Sequence, residues 1–218
     1  RRWEHLADFA SPEEDIRDPK LAVIGGRLIL YALINKSFDP EPYTTVYSVS
    51  EDGGRTWTGL ERLTPEGWLF WKPKTRDGVT WYTAAYWHEH GRSALFSTVN
   101  GIAWTKVASI FDGGRRNDET DLAFLPDGRM LTTSRLEGDF REWGYGMLFG
   151  DPTGATLIST AAPPYTRFEA AAESRLTRLD GPALFSHAGR VFAVGRLQPE
   201  LRQPFQRQGS IFARKRTA

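Results

Sequence analysis

A chain of 218 residues with 40% hydrophobic and 25% charged residues has the make-up of a globular protein able to bury a sizeable core. Its 28 basic and 27 acidic residues leave a net charge of +1, which argues against a broad electrostatic surface for nucleic acid or membrane. There is no cysteine, so neither a disulfide framework nor a thiolate metal site is available. No stretch is long enough to span a bilayer as a helix, and the sequence as it begins shows no signal-peptide pattern. The compartment therefore stays open, secreted or periplasmic if a signal lies outside this sequence.

In chain order, the first pattern is Trp3-Glu4-His5-Leu6-Ala7-Asp8-Phe9, read as an outer strand. It recurs as Trp57-Thr58-Gly59-Leu60-Glu61-Arg62-Leu63 and as Trp104-Thr105-Lys106-Val107-Ala108-Ser109-Ile110. Sixteen residues after each Trp comes a second motif: Asp18-Pro19-Lys20-Leu21, Lys72-Pro73-Lys74-Thr75 and Glu119-Thr120-Asp121-Leu122, with a fourth copy at Gly181-Pro182-Ala183-Leu184. Glycine turns follow at Gly25-Gly26, Asp77-Gly78, Asp127-Gly128 and Gly189, each leading into a β-rich run. Short strands, glycine turns and a repeat of about 45–55 residues predict four-stranded propeller blades. The expected fold is all-β, a β-propeller of antiparallel blades at about 17–63, 70–110, 118–162 and 182–214, read as one incomplete domain of a larger propeller, with a whole small propeller as the alternative. The many aromatic residues, eight Trp and thirteen Phe, are read mostly as packing between blades.

Residues 50–57 read Ser50-Glu51-Asp52-Gly53-Gly54-Arg55-Thr56-Trp57, which fits S-x-D-x-G-x-T-W. Asp and Gly are turn residues, and Trp57 is large enough to lock a hairpin between sheets. Thr98-Val99-Asn100-Gly101 ahead of Trp104 is a shorter copy with Asn in place of Asp. In a four-strand meander these turns join the third and fourth strands, away from the opposite mouth. Asp52 is accordingly expected to be structural.

The other mouth collects residues at the start of the inner strands and the end of the second strands. Arg17, Asp18, Lys20, Lys72, Lys74, Asp118, Glu119 and Asp121 lie at the first kind of position. Asn35, Tyr86, His88, Arg135, Glu137 and Arg196 lie at the second. Charges at inner-strand ends are poor packing choices, so a polar functional funnel is expected there. His88-Glu89-His90 lacks the H-E-x-x-H spacing of a zinc site, and no metal or organic cofactor is expected.

The Ser50–Trp57 motif, together with Glu119, the hairpin Asp127-Gly128-Arg129-Met130-Leu131 and Arg135, resembles the sialidase (neuraminidase) superfamily of BNR or Asp-box propellers. That resemblance implies a six-bladed propeller and a glycosidase in which Glu119 supports a tyrosine nucleophile while Arg135 and Arg196 grip a substrate carboxylate. Arg129 to Arg135 and Arg190 to Arg196 share one spacing, which makes the two arginines equivalent by repeat. The planar guanidinium suits bidentate carboxylate binding, and sialidases replace the usual carboxylate nucleophile by Tyr. Departures are plain: Ile16-Arg17-Asp18-Pro19 has Asp where the family motif reads R-I-P, no Tyr follows Arg196 in register, and Lys72 and Lys74 are foreign to the pattern. Catalytic Glu119 and substrate-binding Arg135, Arg196, Arg17, Asp18, Lys72, Lys74 and Asp121 form the expected site, with a carbohydrate as partner. A glycan- or protein-binding propeller without activity and a different carbohydrate-active enzyme are the rival expectations.

Overall fold

The computed structural model describes residues 2–36, 42–137, 154–174 and 178–197. Among them every regular element is a β-strand. The first sheet has the order β1 (Glu14–Ile24), β2 (Arg27–Lys36), β3 (Thr44–Ser50), β4 (Glu61–Arg62). The second contains β5 (Trp68–Phe70), β6 (Lys74–Thr75), β7 (Trp81–Trp87), β8 (Ser93–Thr98) and β9 (Thr105–Phe111); β5 and β6 both pair β7 as two pieces of one inner strand. The third runs β10 (Asn117–Phe124), β11 (Met130–Leu136), β12 (Ala155–Ala161), β13 (Glu169–Ser174). A last hairpin joins β14 (Leu179–His187) to β15 (Arg190–Leu197), and the rest of the expected fourth blade lies outside the described residues. These are sequential antiparallel meanders of the blade type. The chain divides into two compact units, Arg1–Glu89 with Leu95–Lys106, and His90–Ala94 with Val107–Ala218.

Two expectations about strands need correction. Residues 3–9 form no strand: Trp3 is 99% exposed, and only Phe9 turns inward, its ring meeting Trp57 edge-on at 5.3 Å. The pattern W-x-x-L suits a strand locally, but the segment makes no ladder. The third sheet also extends beyond the expected 162, because its outer strand is β13.

In the first unit, the turn after β3 is built around one carboxylate. Asp52 Oδ1 accepts from the Ser50 hydroxyl (2.8 Å) and from the backbone N–H groups of Arg55 (3.0 Å) and Thr56 (2.9 Å), while Oδ2 accepts from the Thr56 hydroxyl (2.7 Å). The Thr56 backbone N–H and hydroxyl, with Ser50, hold this carboxyl well below the usual range. Trp57 closes the turn by donating to the Gly54 carbonyl at 2.9 Å. The turn after β8 repeats the design: Asn100 Oδ1 accepts from Ile102 and Ala103 (2.9 Å each), and Trp104 donates to Gly101 (3.0 Å). Gly101 has φ +79°, and a Cβ there would meet Ile29 at 2.4 Å, so only glycine serves. Its carbonyl accepts from the buried Tyr31 hydroxyl at 2.6 Å.

The core of this unit is aliphatic and aromatic. Leu33, Leu69, Trp71 and Tyr86 form one buried cluster, and Phe70, Phe96 and Trp104 pack ring to ring. Thr45 joins the first two sheets, donating to the Trp68 carbonyl at 2.8 Å and accepting from Phe70 N–H at 2.9 Å.

Candidate functional site

Each inner strand carries the same one-residue bulge. Arg17 faces Leu33 and Lys20 faces Tyr31, three residues against two. The same step separates Asn117/Leu136 from Thr120/Ser134, and Asp180/Arg196 from Ala183/Val194. In the second sheet Phe70 faces Ala85 and Lys74 faces Tyr82, four against three, while Trp71 N–H bonds the Ala84 carbonyl. The bulges therefore hold Asp18-Pro19, Lys72-Pro73, Asp118-Glu119 and Gly181-Pro182. Proline suits a bulge because it has no N–H to lose from the ladder. Glu119 stands where the other three have Pro.

This register corrects the sequence repeat by one residue in the third sheet, where Glu119, not Thr120, aligns with Pro19. It also separates the two arginines. Asn117 pairs Leu136 where Asp180 pairs Arg196, so Arg135 corresponds to Gly195. The hairpins differ in length, joining Phe124 to Met130 but His187 to Arg190, and this difference offsets the equal spacing in sequence.

In the second unit the bulge positions build a dense ionic cluster. Glu119 Oε2 accepts from Arg135 at 3.0 Å and from the Gly181 N–H at 2.6 Å, and Oε1 accepts from Arg196 at 3.2 Å. Arg135 is buried and also contacts Glu137, and its Nε lies 3.1 Å from Asp180. Arg178 completes a closed ring, donating to Glu137 at 2.5 Å and to Asp180 at 3.0 Å. Two arginines and two carboxylates thus alternate with side chains 8% exposed or less. Beside the ring, Asp118 lies 3.9 Å from Arg135 and is bonded to His90 Nδ1; His90 Nε2 in turn faces Arg116 at 2.8 Å. With Arg116 donating, Nε2 must be the bare nitrogen and Nδ1 the protonated one.

Electrostatics fix the charge states. Burial alone raises the Glu119 pKa, but the Arg135 and Arg196 charges and the Gly181 N–H outweigh it and bring it down to about 2. Burial acts against the Arg135 charge, yet Glu137, Glu119 and Asp180 raise its pKa further above the ordinary arginine value. Glu119 is therefore an ionised carboxylate at neutral pH, and its Arg196 partner has a side chain 46% exposed.

The remaining expected residues divide as follows. Asp121 is buried, and its Oδ2 accepts the Leu184 N–H at 2.7 Å, tying β14 to β10. In the first unit Arg17 donates to Asp15 at 2.9 Å, and Asp18 occupies the left-handed region at φ 52°. Lys20 and Lys72 lie over the Trp71 ring at 4.5 and 6.0 Å, with half-buried Lys74 on β6. The structure thus joins Glu119, Arg135 and Arg196 in one cluster, and Lys20 and Lys72 around one Trp. Among the described residues no group of three or more His, Asp or Glu side chains is arranged to hold a metal ion. Arg178, Asp180 and Arg116 were not singled out from sequence. The signal for two of them was present: Arg135-Leu136-Glu137 and Arg178-Leu179-Asp180 are twin tripeptides whose charges, two apart, share one face of a strand.

No protein-family model matches this chain, and no curated protein sequence matches it. Solved structures do. A protein of unknown function from Dyadobacter fermentans is 13% identical with a TM-score of 0.62, over 88% of this chain and 63% of that one. A thermostable family-43 glycoside hydrolase is 15% identical, TM-score 0.55, over 85% and 66%. The α-L-arabinanase of Penicillium chrysogenum, solved with arabinobiose, is 11% identical, TM-score 0.56, over 85% and 62%. The chain spans less than two thirds of each of these structures. The likeness is one of fold, that of propeller glycosidases.

Proposed function

We propose that the chain belongs to a glycoside hydrolase acting on a neutral sugar, with Glu119 as its working carboxylate. The observation that carries this reading is the bulge of β10. Of four equivalent positions it alone holds a carboxylate, and two arginines from different strands keep that carboxylate ionised. A carboxylate that is ionised at working pH is suited to attack an anomeric carbon or to take a proton from water, not to donate one. The fold supports the class, since hydrolases of arabinose-, galactose- and fructose-containing glycans share it.

The acidic-sugar version, a sialidase with Arg135 and Arg196 as a carboxylate clamp, is less well supported by the charges. Arg135 already faces Glu119, Glu137 and Asp180. A substrate carboxylate would have to displace one of them or bind Arg196 alone beside Glu119, against like charge.

The test is hydrolysis of 4-nitrophenyl α-L-arabinofuranoside, β-D-galactoside and β-D-xyloside against a fluorogenic sialoside. Turnover of a neutral glycoside, reduced about a thousandfold in Glu119→Gln, is expected. Preferential turnover of the sialoside reinstates the acidic-sugar version. No turnover of any substrate by folded protein leaves the non-catalytic propeller.

A further inference from the structure

A groove of about 600 Å³ opens in the first unit, between the segment before β1 and the residues that follow Trp57. Its size is that of a small-molecule site. One wall is aliphatic, with Ile34, Val46 and Leu60. Another is aromatic, with Phe9 and Trp57. The indole of Trp57 is fixed in place, because its N–H donates to the Gly54 carbonyl at 2.9 Å and its ring meets Phe9 edge-on.

One end of the groove is polar. Glu14 and Arg62 line it, and Tyr43 joins them from behind. The Tyr43 hydroxyl donates to Glu14, and Arg62 donates to the Tyr43 oxygen at 3.0 Å. Arg62 also lies 3.4 Å from both Glu14 and Glu66. Burial, then the hydrogen bond to Glu14, pushes the Tyr43 hydroxyl up to about 12, so it stays a donor. Glu14 remains 24% and Arg62 51% exposed, which leaves acceptor and donor capacity directed to solvent.

We propose that this groove is a second carbohydrate site, one that binds a neutral disaccharide with a sugar face on Trp57 and hydroxyls at the Glu14–Arg62 pair. A sugar ring is apolar on its C–H face and polar around its edge. An aromatic wall beside a carboxylate–guanidinium pair offers both complements. The pair neutralises itself, with Glu66 adding a further negative charge near Arg62, so an anionic ligand gains little there. In ligand class the proposal rests on the carbohydrate-active reading; in location it is independent of Glu119, which belongs to the other unit.

The experiment is a titration of the full chain with arabinobiose, lactose and 3′-sialyllactose, following the Trp57 indole N–H by two-dimensional NMR and affinity by calorimetry. A neutral disaccharide is expected to shift the Trp57 indole signal. Arg62→Ala and Glu14→Gln, both at partly exposed positions, are each expected to weaken binding about tenfold, the loss of one hydrogen bond involving a charged group. Glu119→Gln is expected to leave the shift of the Trp57 indole signal unchanged. An unmoved Trp57 signal with both neutral sugars overturns the proposal, as does affinity insensitive to both groove variants or tighter binding of sialyllactose than of lactose. Groove binding without hydrolysis of any glycoside would refute the hydrolase and keep the second site.

Discussion

The bulges of β1 and β10 share one register step and differ in content. In β1 the two residues are Asp18 and Pro19, both exposed. In β10 they are Asp118 and Glu119, set among Arg116, Arg135, Arg196 and His90. A bulge re-aims side chains at the cost of one ladder bond. In β1 and in β14 that device carries a proline, and in β14 its Gly181 N–H also bonds Glu119. In β10 it carries a carboxylate onto two guanidinium groups. The lesson is that the repeat supplies a position, and local charge decides whether chemistry is installed there.

The sharpest way to break this comparison is to remove the counter-charge of β10. Arg135→Met strips Glu119, Glu137 and Asp180 of a shared partner and leaves buried carboxylates uncompensated. A loss of about 3–5 kcal/mol in urea unfolding is expected. A loss below about 1 kcal/mol would mean the ring of Arg135, Glu137, Arg178 and Asp180 is held by something other than ion pairing.

Next in size is the pH dependence. The folded pKa of Glu119 is about 2, below the ordinary glutamate value of 4.5, so the unfolded chain binds the proton more readily. The resulting stabilisation, on the order of 3 kcal/mol, is fully present above about pH 5 and is lost as pH falls toward 2. Glu119→Gln should flatten the stability curve across that window while neutral-pH folding persists. An unchanged acid limb in this variant would assign the limb to other carboxylates.

How much of this was legible beforehand varies by residue. The Asp52 turn is local: Ser50, Asp52, Thr56 and Trp57 satisfy one another within eight residues, so the string alone describes the structure. The inner-strand motif is also local, and three of its four copies align as spaced. The slip at Glu119 is not local. Spacing from Trp104 cannot see that a bulge sits one residue earlier, and in strands one residue exchanges faces. Arg178 was missed for a related reason. Its partner Asp180 is local, but Glu137 lies 41 residues away, and only pairing reveals that the two R-L-acid tripeptides close a ring.

β14 offers an intermediate test. Gly181 has φ +58°, donates its N–H to Glu119 at 2.6 Å, and lies against Arg196, whose Nη1 would be 3.1 Å from an added Cβ. Gly181→Ala is expected to cost about 1–2 kcal/mol through the left-handed backbone alone. Arg196 is a flexible, partly exposed side chain and should yield without much further cost. A much larger loss would show that the Gly181 N–H and Arg196 hold Glu119 more tightly than Arg135 does.

The smallest effect belongs to the corresponding residue in β1. Asp18 is non-glycine at φ 52°, which Asp tolerates better than most residues. Asp18→Gly relieves that strain but frees the unfolded chain, and the two effects oppose each other. The net change should stay within about 0.5 kcal/mol by thermal unfolding. Since Asp18 and Asp118 occupy the same place in the repeat, the contrast is direct: Asp118→Gly removes a carboxylate bonded to His90 and near Arg135, and Asp18→Gly removes one facing solvent. Equal losses from the two substitutions would mean the bulge itself requires Asp. A near-neutral Asp18→Gly beside a costly Asp118→Gly would mean the bulge tolerates either content, and that the ionic cluster of β10 is an addition to the repeat rather than a condition of its folding.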